Sequence, residues 1–272
     1  MNRLGIETLS VFGLPPVEFV TLAADLGCAH ISMGLTQVPI NPHGYPGFSL
    51  REDVALRHEM VAAMRDRGVS IALGEGVNVR PGADIRSLAP ELDIMAALGV
   101  PRINTVSLDP DIGRSLDQFA VLAEMAAARG MTTTTEFAPG LTIADLSSAI
   151  AAIRHVGRRD FRLLIDTMHF FRTGGVPAEL AALDPDMIGY IQIADAPLQP
   201  RFESYMQEAM TERLAPGMGE APLREILAAL PRELVVSLEI PLLSEAQSGI
   251  GPYERLRPCV DTVRALLAEL DA

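Results

Sequence analysis

The chain has 272 residues, 49% of them hydrophobic and 21% charged, which supplies ample core material and excludes a disordered protein. Its net charge of −13 repels phosphate backbones, so nucleic acid is excluded as a natural partner. All 22 basic residues are arginine, which removes lysine Schiff-base chemistry, and no apolar run approaches the 18 residues of a membrane span.

Short apolar or β-branched runs alternate along the chain with longer stretches of helical period, the pattern of a parallel sheet with crossover helices. Strands are predicted over residues 4–9, 30–34, 70–74, 102–107, 132–137, 162–166, 188–194 and 234–240. Helices are predicted over 17–26, 51–67, 85–98, 115–129, 143–155, 178–183, 223–230 and 253–270. Several of these helices stop at a glycine: Gly27, Gly68, Gly99, Gly130 or Gly157. Eight strand–helix pairs in one unbroken chain predict an α/β fold, a single-domain (β/α)8 TIM barrel spanning residues 1–272.

The proline- and glycine-rich stretch 38–48 and the long stretch 196–220 are expected as loops after strands 2 and 7. In a barrel such loops lie at the C-terminal face, where active sites are built. Cys28 and Cys259 lie far apart and are expected as buried, reduced thiols. With no basic region leading into an apolar run at the N-terminus, the expectation is a soluble, cytoplasmic protein, with a homo-oligomer left open.

The run Leu163-Leu164-Ile165-Asp166-Thr167-Met168-His169 ends an apolar strand in a carboxylate, with an imidazole three residues on. A buried strand rarely carries an acid that binds nothing. Aligning the ends of the last four strands adds Glu136, Gln192 and Glu239, all set in apolar or β-branched sequence. In a closed barrel these side chains converge, and three facing carboxylates need a counter-charge. One divalent metal held by Glu136, Asp166, Gln192 and Glu239 supplies it; an all-oxygen set favours Mg²⁺ or Mn²⁺, with Co²⁺ or Zn²⁺ as further candidates.

His169 can lean over the same pocket and hold a substrate oxygen or metal-bound water, whereas His58 and His155 fall on helices. Arg201 and Arg213, in the loop after strand 7, are candidates to grip a substrate, and Glu7 and Glu75 at the ends of early strands are candidates to contact its hydroxyls. The turn Pro216-Gly217-Met218-Gly219 offers backbone amides to an anion.

The order Glu136, Asp166-x-x-His169, Gln192 and Glu239 resembles the xylose isomerase-like TIM-barrel superfamily of sugar phosphate isomerases and epimerases. The likeness runs through Ile165–His169, Ile191–Ala196, Arg213–Glu220 and Ser237–Ile240. It implies one divalent metal on Glu136, Asp166, Gln192 and Glu239. Many epimerase relatives carry histidine at the strand-7 place; glutamine there is similar to the bacterial 3-dehydroshikimate dehydratases. Endonuclease IV shares the barrel but gathers several zinc ions with many histidines, and this chain has five, scattered.

These features lead to the expectation of a metal-dependent isomerase or epimerase of a small polyhydroxy carbonyl compound, working by proton abstraction through an enediolate. Glu136 and Glu239 would act as base and acid on opposite faces, with His169 placing a substrate oxygen. The alternative is a dehydratase that starts with the same proton abstraction and then loses a β-hydroxyl. A third class is a barrel that binds a small molecule without chemistry.

Overall fold

The computed structural model describes residues 2–271, and its sheet is a closed barrel of eight parallel strands in sequence order. The strands are β1 (Leu4–Ile6), β2 (His30–Gly34), β3 (Ser70–Glu75), β4 (Arg102–Thr105), β5 (Thr132–Glu136), β6 (Phe161–Asp166), β7 (Ile188–Ile193) and β8 (Val236–Leu238). The helices are α1 (Pro16–Asp25), α2 (Val54–Arg67), α3 (Ala89–Ala97), α4 (Ile112–Ala127), α5 (Leu146–Val156), α6 (Thr167–Arg172), α7 (Pro177–Ala181), α8 (Tyr205–Thr211), α9 (Leu223–Ala228), α10 (Leu243–Gln247) and α11 (Pro252–Asp271).

All eight predicted strands form; the second matches its predicted bounds, the third and sixth gain one residue each, and the other five are shorter than predicted. The last pairs only over Val236–Leu238, so Glu239 stands just beyond the ladder. The predicted helix 85–98 is split into a 3-10 turn, Ile85–Leu88, and α3. Pro90 lacks an N–H, which suits it to the first turn of a helix and not to an interior. The helix predicted from residue 51 begins at Val54, because the Asp53 side chain accepts the Leu56 amide and fixes the start there.

Side chains two residues apart on a strand share a face. Thr134 and Glu136, Leu164 and Asp166, Tyr190 and Gln192 therefore turn into the barrel, and cross-barrel bonds bear this out. Tyr190 OH donates to Glu7 Oε1 at 2.9 Å, and Asn104 Nδ2 donates to Glu136 Oε2 at 2.9 Å. Below them Ala72, Leu73, Leu164 and Tyr190 form a small apolar cluster of their own, separate from the large core that the remaining buried apolar residues build. The barrel interior is thus apolar at one level and polar toward the C-terminal strand ends.

Cys28 and Cys259 are buried and unpaired with one another, and burial raises the Cys28 thiol to about 12 and the Cys259 thiol to about 11. Among the described residues no helix is long and apolar enough to cross a membrane.

Candidate active site

β6 ends in Asp166, and α6 begins at the next residue. The Asp166 carboxylate caps that helix, accepting the His169 amide at 2.9 Å on Oδ1. The chain turns helical directly after this strand, outside any predicted helix, and one turn of it carries His169 back over the strand ends. The imidazole Nε2 lies 3.2 Å from Glu136 Oε1, and Nδ1 lies 2.5 Å from the Tyr205 hydroxyl. Nε2 donates to the Glu136 carboxylate, and Nδ1 shares a hydrogen with the Tyr205 hydroxyl and lies 3.8 Å from Asp166 Oδ1. Burial and the nearby Asp166 carboxylate both push the Tyr205 hydroxyl upward, which keeps it protonated.

Arg213 holds the other side. Its guanidinium donates to Asp166 Oδ2 at 2.5 Å and to Glu239 Oε2 at 2.6 Å, while Nε donates to the Ala209 carbonyl at 2.8 Å. Part of the counter-charge that the three carboxylates require is therefore an arginine from the strand-7 loop. Burial opposes ionisation of Asp166, but Arg213 and then His169 outweigh it and hold the carboxyl at about 2. Glu239 goes the other way. Burial pushes it well above the usual range, and Glu136 and Asp166 add to the effect of burial against the pull of Arg213. The difference is physical: Asp166 receives a guanidinium, an imidazole and a backbone amide, whereas Glu239 shares the guanidinium and otherwise faces acids.

Gln192 donates weakly to Glu239 Oε1 at 3.5 Å, and its own Oε1 is buried with no partner. Glu7 is buried at 1% exposure with one oxygen unpartnered, and burial raises its carboxyl. Glu75 is pushed well above the usual range by burial first and then by the charges of Glu7 and Glu136.

The loop after β7 is held by Asp195. Its carboxylate accepts the amides of Ala196, Gly217 and Ala221 at 2.8, 2.9 and 3.1 Å. A Cβ on Gly219 would sit 2.3 Å from Asp195 Oδ1, so this position of the turn requires glycine. The Gly217 amide is engaged by a side chain of the protein. Asp195 also pairs through its backbone with Leu214 in both directions, which places Arg213 over the strand ends.

A family model described as xylose isomerase-like TIM barrel matches residues 20–254. The chain belongs to that family. Solved structures of the same architecture include a xylose isomerase-like TIM barrel/4-hydroxyphenylpyruvate dioxygenase fusion protein at 20% identity and TM-score 0.72, covering 91% of this chain and 41% of the fusion. The chain thus spans about two fifths of that protein's length. A zinc-bound IolI protein aligns at 16% identity and TM-score 0.76, covering 98% of this chain and 97% of its own. A D-psicose 3-epimerase from Clostridium cellulolyticum H10 aligns at 15% and 0.72, covering 97% and 99%. Identities this low speak for the fold alone. No curated protein matches the chain.

Within this family member, ligand atoms of Glu136, Asp166 and His169 lie within 4.8 Å of one another, a grouping that can hold a metal ion. A divalent ion fits the donor set on two observations. The carboxylates Glu136, Asp166 and Glu239 outnumber the one guanidinium between them, and the Gln192 carbonyl oxygen is a buried acceptor without a donor. That grouping takes in His169 and not Gln192 or Glu239, and an ion held by all four expected ligands would compete with Arg213 for Asp166 and Glu239.

Glu75, Glu136, His169, Arg213 and Glu239 line one cavity of about 440 Å³, with Asp166, Gln192 and Glu7 buried and outside its lining. Arg201 is also outside that lining. It reaches Glu208 Oε1 at 3.4 Å and donates to the Glu212 carbonyl at 2.5 Å, so it ties the loop together. Three functional neighbours are absent from the sequence-based set: Asn104, Tyr205 and Glu208. Asn104 could have been found as a polar residue one short of the end of β4. Glu208 is fully buried on α8 and binds Arg172 at 2.6 Å, anchoring the helix that carries Tyr205. Nothing local in 205–211 marks it as lying over the barrel.

Proposed function

We propose that this protein is a divalent-metal-dependent isomerase or epimerase of a small polyhydroxy carbonyl compound. The observation that carries the reading is the pair Glu136 and Glu239, two carboxylates on one cavity, each oriented by its own donors. Asn104 and His169 hold Glu136; Arg213 and Gln192 hold Glu239. Such a pair can both remove a proton beside a carbonyl and return one to the neighbouring carbon or the opposite face.

Glu136, Asp166, Gln192 and Glu239 would hold the ion. When bound, it supplies Lewis-acid stabilisation of negative charge on substrate oxygens. One glutamate takes the proton from carbon and the other delivers it. The His169 imidazole N–H, set by Tyr205, donates to a substrate oxygen as negative charge develops there. Arg213, released from either acid, offers a planar pair of donors to the same oxygens. The neighbouring D-psicose 3-epimerase and IolI proteins lend support as relatives in fold.

Gln192 at the strand-7 position supports a second reading, a dehydratase of the 3-dehydroshikimate type, in which the same base acts and the acid protonates a departing hydroxyl. Incubation with Mn²⁺ in D₂O separates the two. Deuterium entering recovered ketose without loss of mass as water supports the isomerase, and a new aromatic ultraviolet band from dehydroshikimate supports the lyase. Glu136→Gln or Glu239→Gln with undiminished exchange contradicts both.

A further inference from the structure

The cavity is built in two tiers. Its floor is the strand ends, with Glu75, Glu136, His169, Arg213 and Glu239; its rim comes from loops and from α8. Of the 22 arginines only Arg51 and Arg213 line it among the described residues, and neither is free. Arg213 spans Asp166 and Glu239, and Arg51 Nη2 lies 3.1 Å from Glu91 Oε1, itself a lining residue. A divalent ion would balance acids already present and leave no excess positive charge. An anionic group on the substrate would meet a guanidinium and an ion whose charge Glu136, Asp166 and Glu239 already balance, and an Arg51 already paired with Glu91.

The rim is apolar. Leu88, Met95, Leu108 and Leu141 come from the segments after β3, β4 and β5, and Met206 and Met210 from α8. Leu108 and Met210 remain 42% and 39% exposed. Exposed apolar side chains gathered at a cavity mouth mark a surface that a ligand covers.

We infer that the substrate is an uncharged polyhydroxy compound carrying an apolar aryl or alkyl substituent, with the hydroxylated part on the floor and the substituent against the Leu108–Met210 rim. This rests on the proposed function for the placement of the hydroxylated part. Sugar phosphates and sugar acids are then poor ligands.

The test is calorimetric titration of the Mn²⁺-loaded protein with phenyl and methyl β-D-glucosides, galactosides and xylosides, and with glucose 6-phosphate. For at least one sugar the phenyl glycoside should bind tenfold or more tightly than the methyl, with a negative heat-capacity change, and glucose 6-phosphate should bind most weakly. Met210→Asp should cut the phenyl advantage at least fivefold, and Glu91→Gln, which releases Arg51, should strengthen glucose 6-phosphate binding. Equal affinities of phenyl and methyl glycosides, tightest binding of the phosphate, or no binding at all overturns the inference. Deuterium exchange is read separately on free ketoses, because a glycoside has no carbonyl to acidify a C–H bond: its absence with the ranking intact contradicts the proposed chemistry and leaves the ligand class standing.

Discussion

At the ends of β6 and β8, Asp166 and Glu239 share the guanidinium of Arg213, whereas at the ends of β1 and β3, Glu7 and Glu75 have no ion pair among the described residues. The acids have the same kind of position, the last inward residue of a strand or the one just beyond it. What separates them is what the loops bring. The β7 loop folds back with Asp195 as its pin and delivers a cation to one side of the barrel; the loops after β1 and β3 deliver none. On the first side Arg213 holds the Asp166 carboxyl low while burial still raises Glu239, and on the second side no cation offsets burial; under the proposed reading, proton transfer and ion binding belong to the late strands. In the same reading Glu7 and Glu75, both raised by burial, would contact substrate hydroxyls.

The largest effect that separates the halves comes from the late-strand glutamates. Replacing Glu136 or Glu239 by Gln should lower proton exchange by about 10²–10⁴-fold, measured as deuterium uptake, whereas Glu75→Gln should act mainly on substrate affinity. Next comes Arg213→Met, which leaves two buried carboxylates unpaired and should cost about 3–5 kcal/mol in urea unfolding without metal. Mn²⁺ should stabilise that variant more than the native protein, because the ion no longer competes with a guanidinium. An equal gain in both would mean that Arg213 and the ion do not share ligands.

A smaller change is expected from Tyr205→Phe, which frees Nδ1 of His169 while Glu208 still anchors α8. Exchange should fall by about tenfold with little loss of stability, since one orienting hydrogen bond is worth roughly 0.5–1.5 kcal/mol. The smallest effect is Glu7→Gln. Burial raises the Glu7 carboxyl, so its protonated form is the one favoured by folding. That stability is present below the ordinary carboxylate range and is lost as pH rises toward the raised value. The amide variant should therefore be no less stable than the native protein at pH 8 and should show a flatter decline from pH 5 to pH 8 in thermal unfolding.

Short apolar runs alternating with glycine-stopped helices made the barrel legible, and aligning the ends of the last four strands picked out Glu136, Asp166, Gln192 and Glu239. The ion pair between Arg213 and Asp166 was not legible, because it joins residues 47 apart through a loop whose course depends on Asp195 capturing three backbone amides. Tyr205 was hidden for the same reason. It sits on a seven-residue helix that is held in place by the buried Glu208 pairing with Arg172, a contact without local pattern. The helix start at Asp166 has a local cause, a carboxylate accepting the amide three residues on, and the apolar strand pattern leading up to it masked that cap.

Metal content tests the account most directly. The purified protein, dialysed against Mn²⁺ and then freed of loosely held ions, should retain one equivalent by elemental analysis, and Asp166→Asn and Glu136→Gln should each lose most of it. A protein that retains no ion and gains no thermal stability from Mn²⁺, Mg²⁺, Co²⁺ or Zn²⁺ would contradict the account and make Arg213 the site's sole counter-charge.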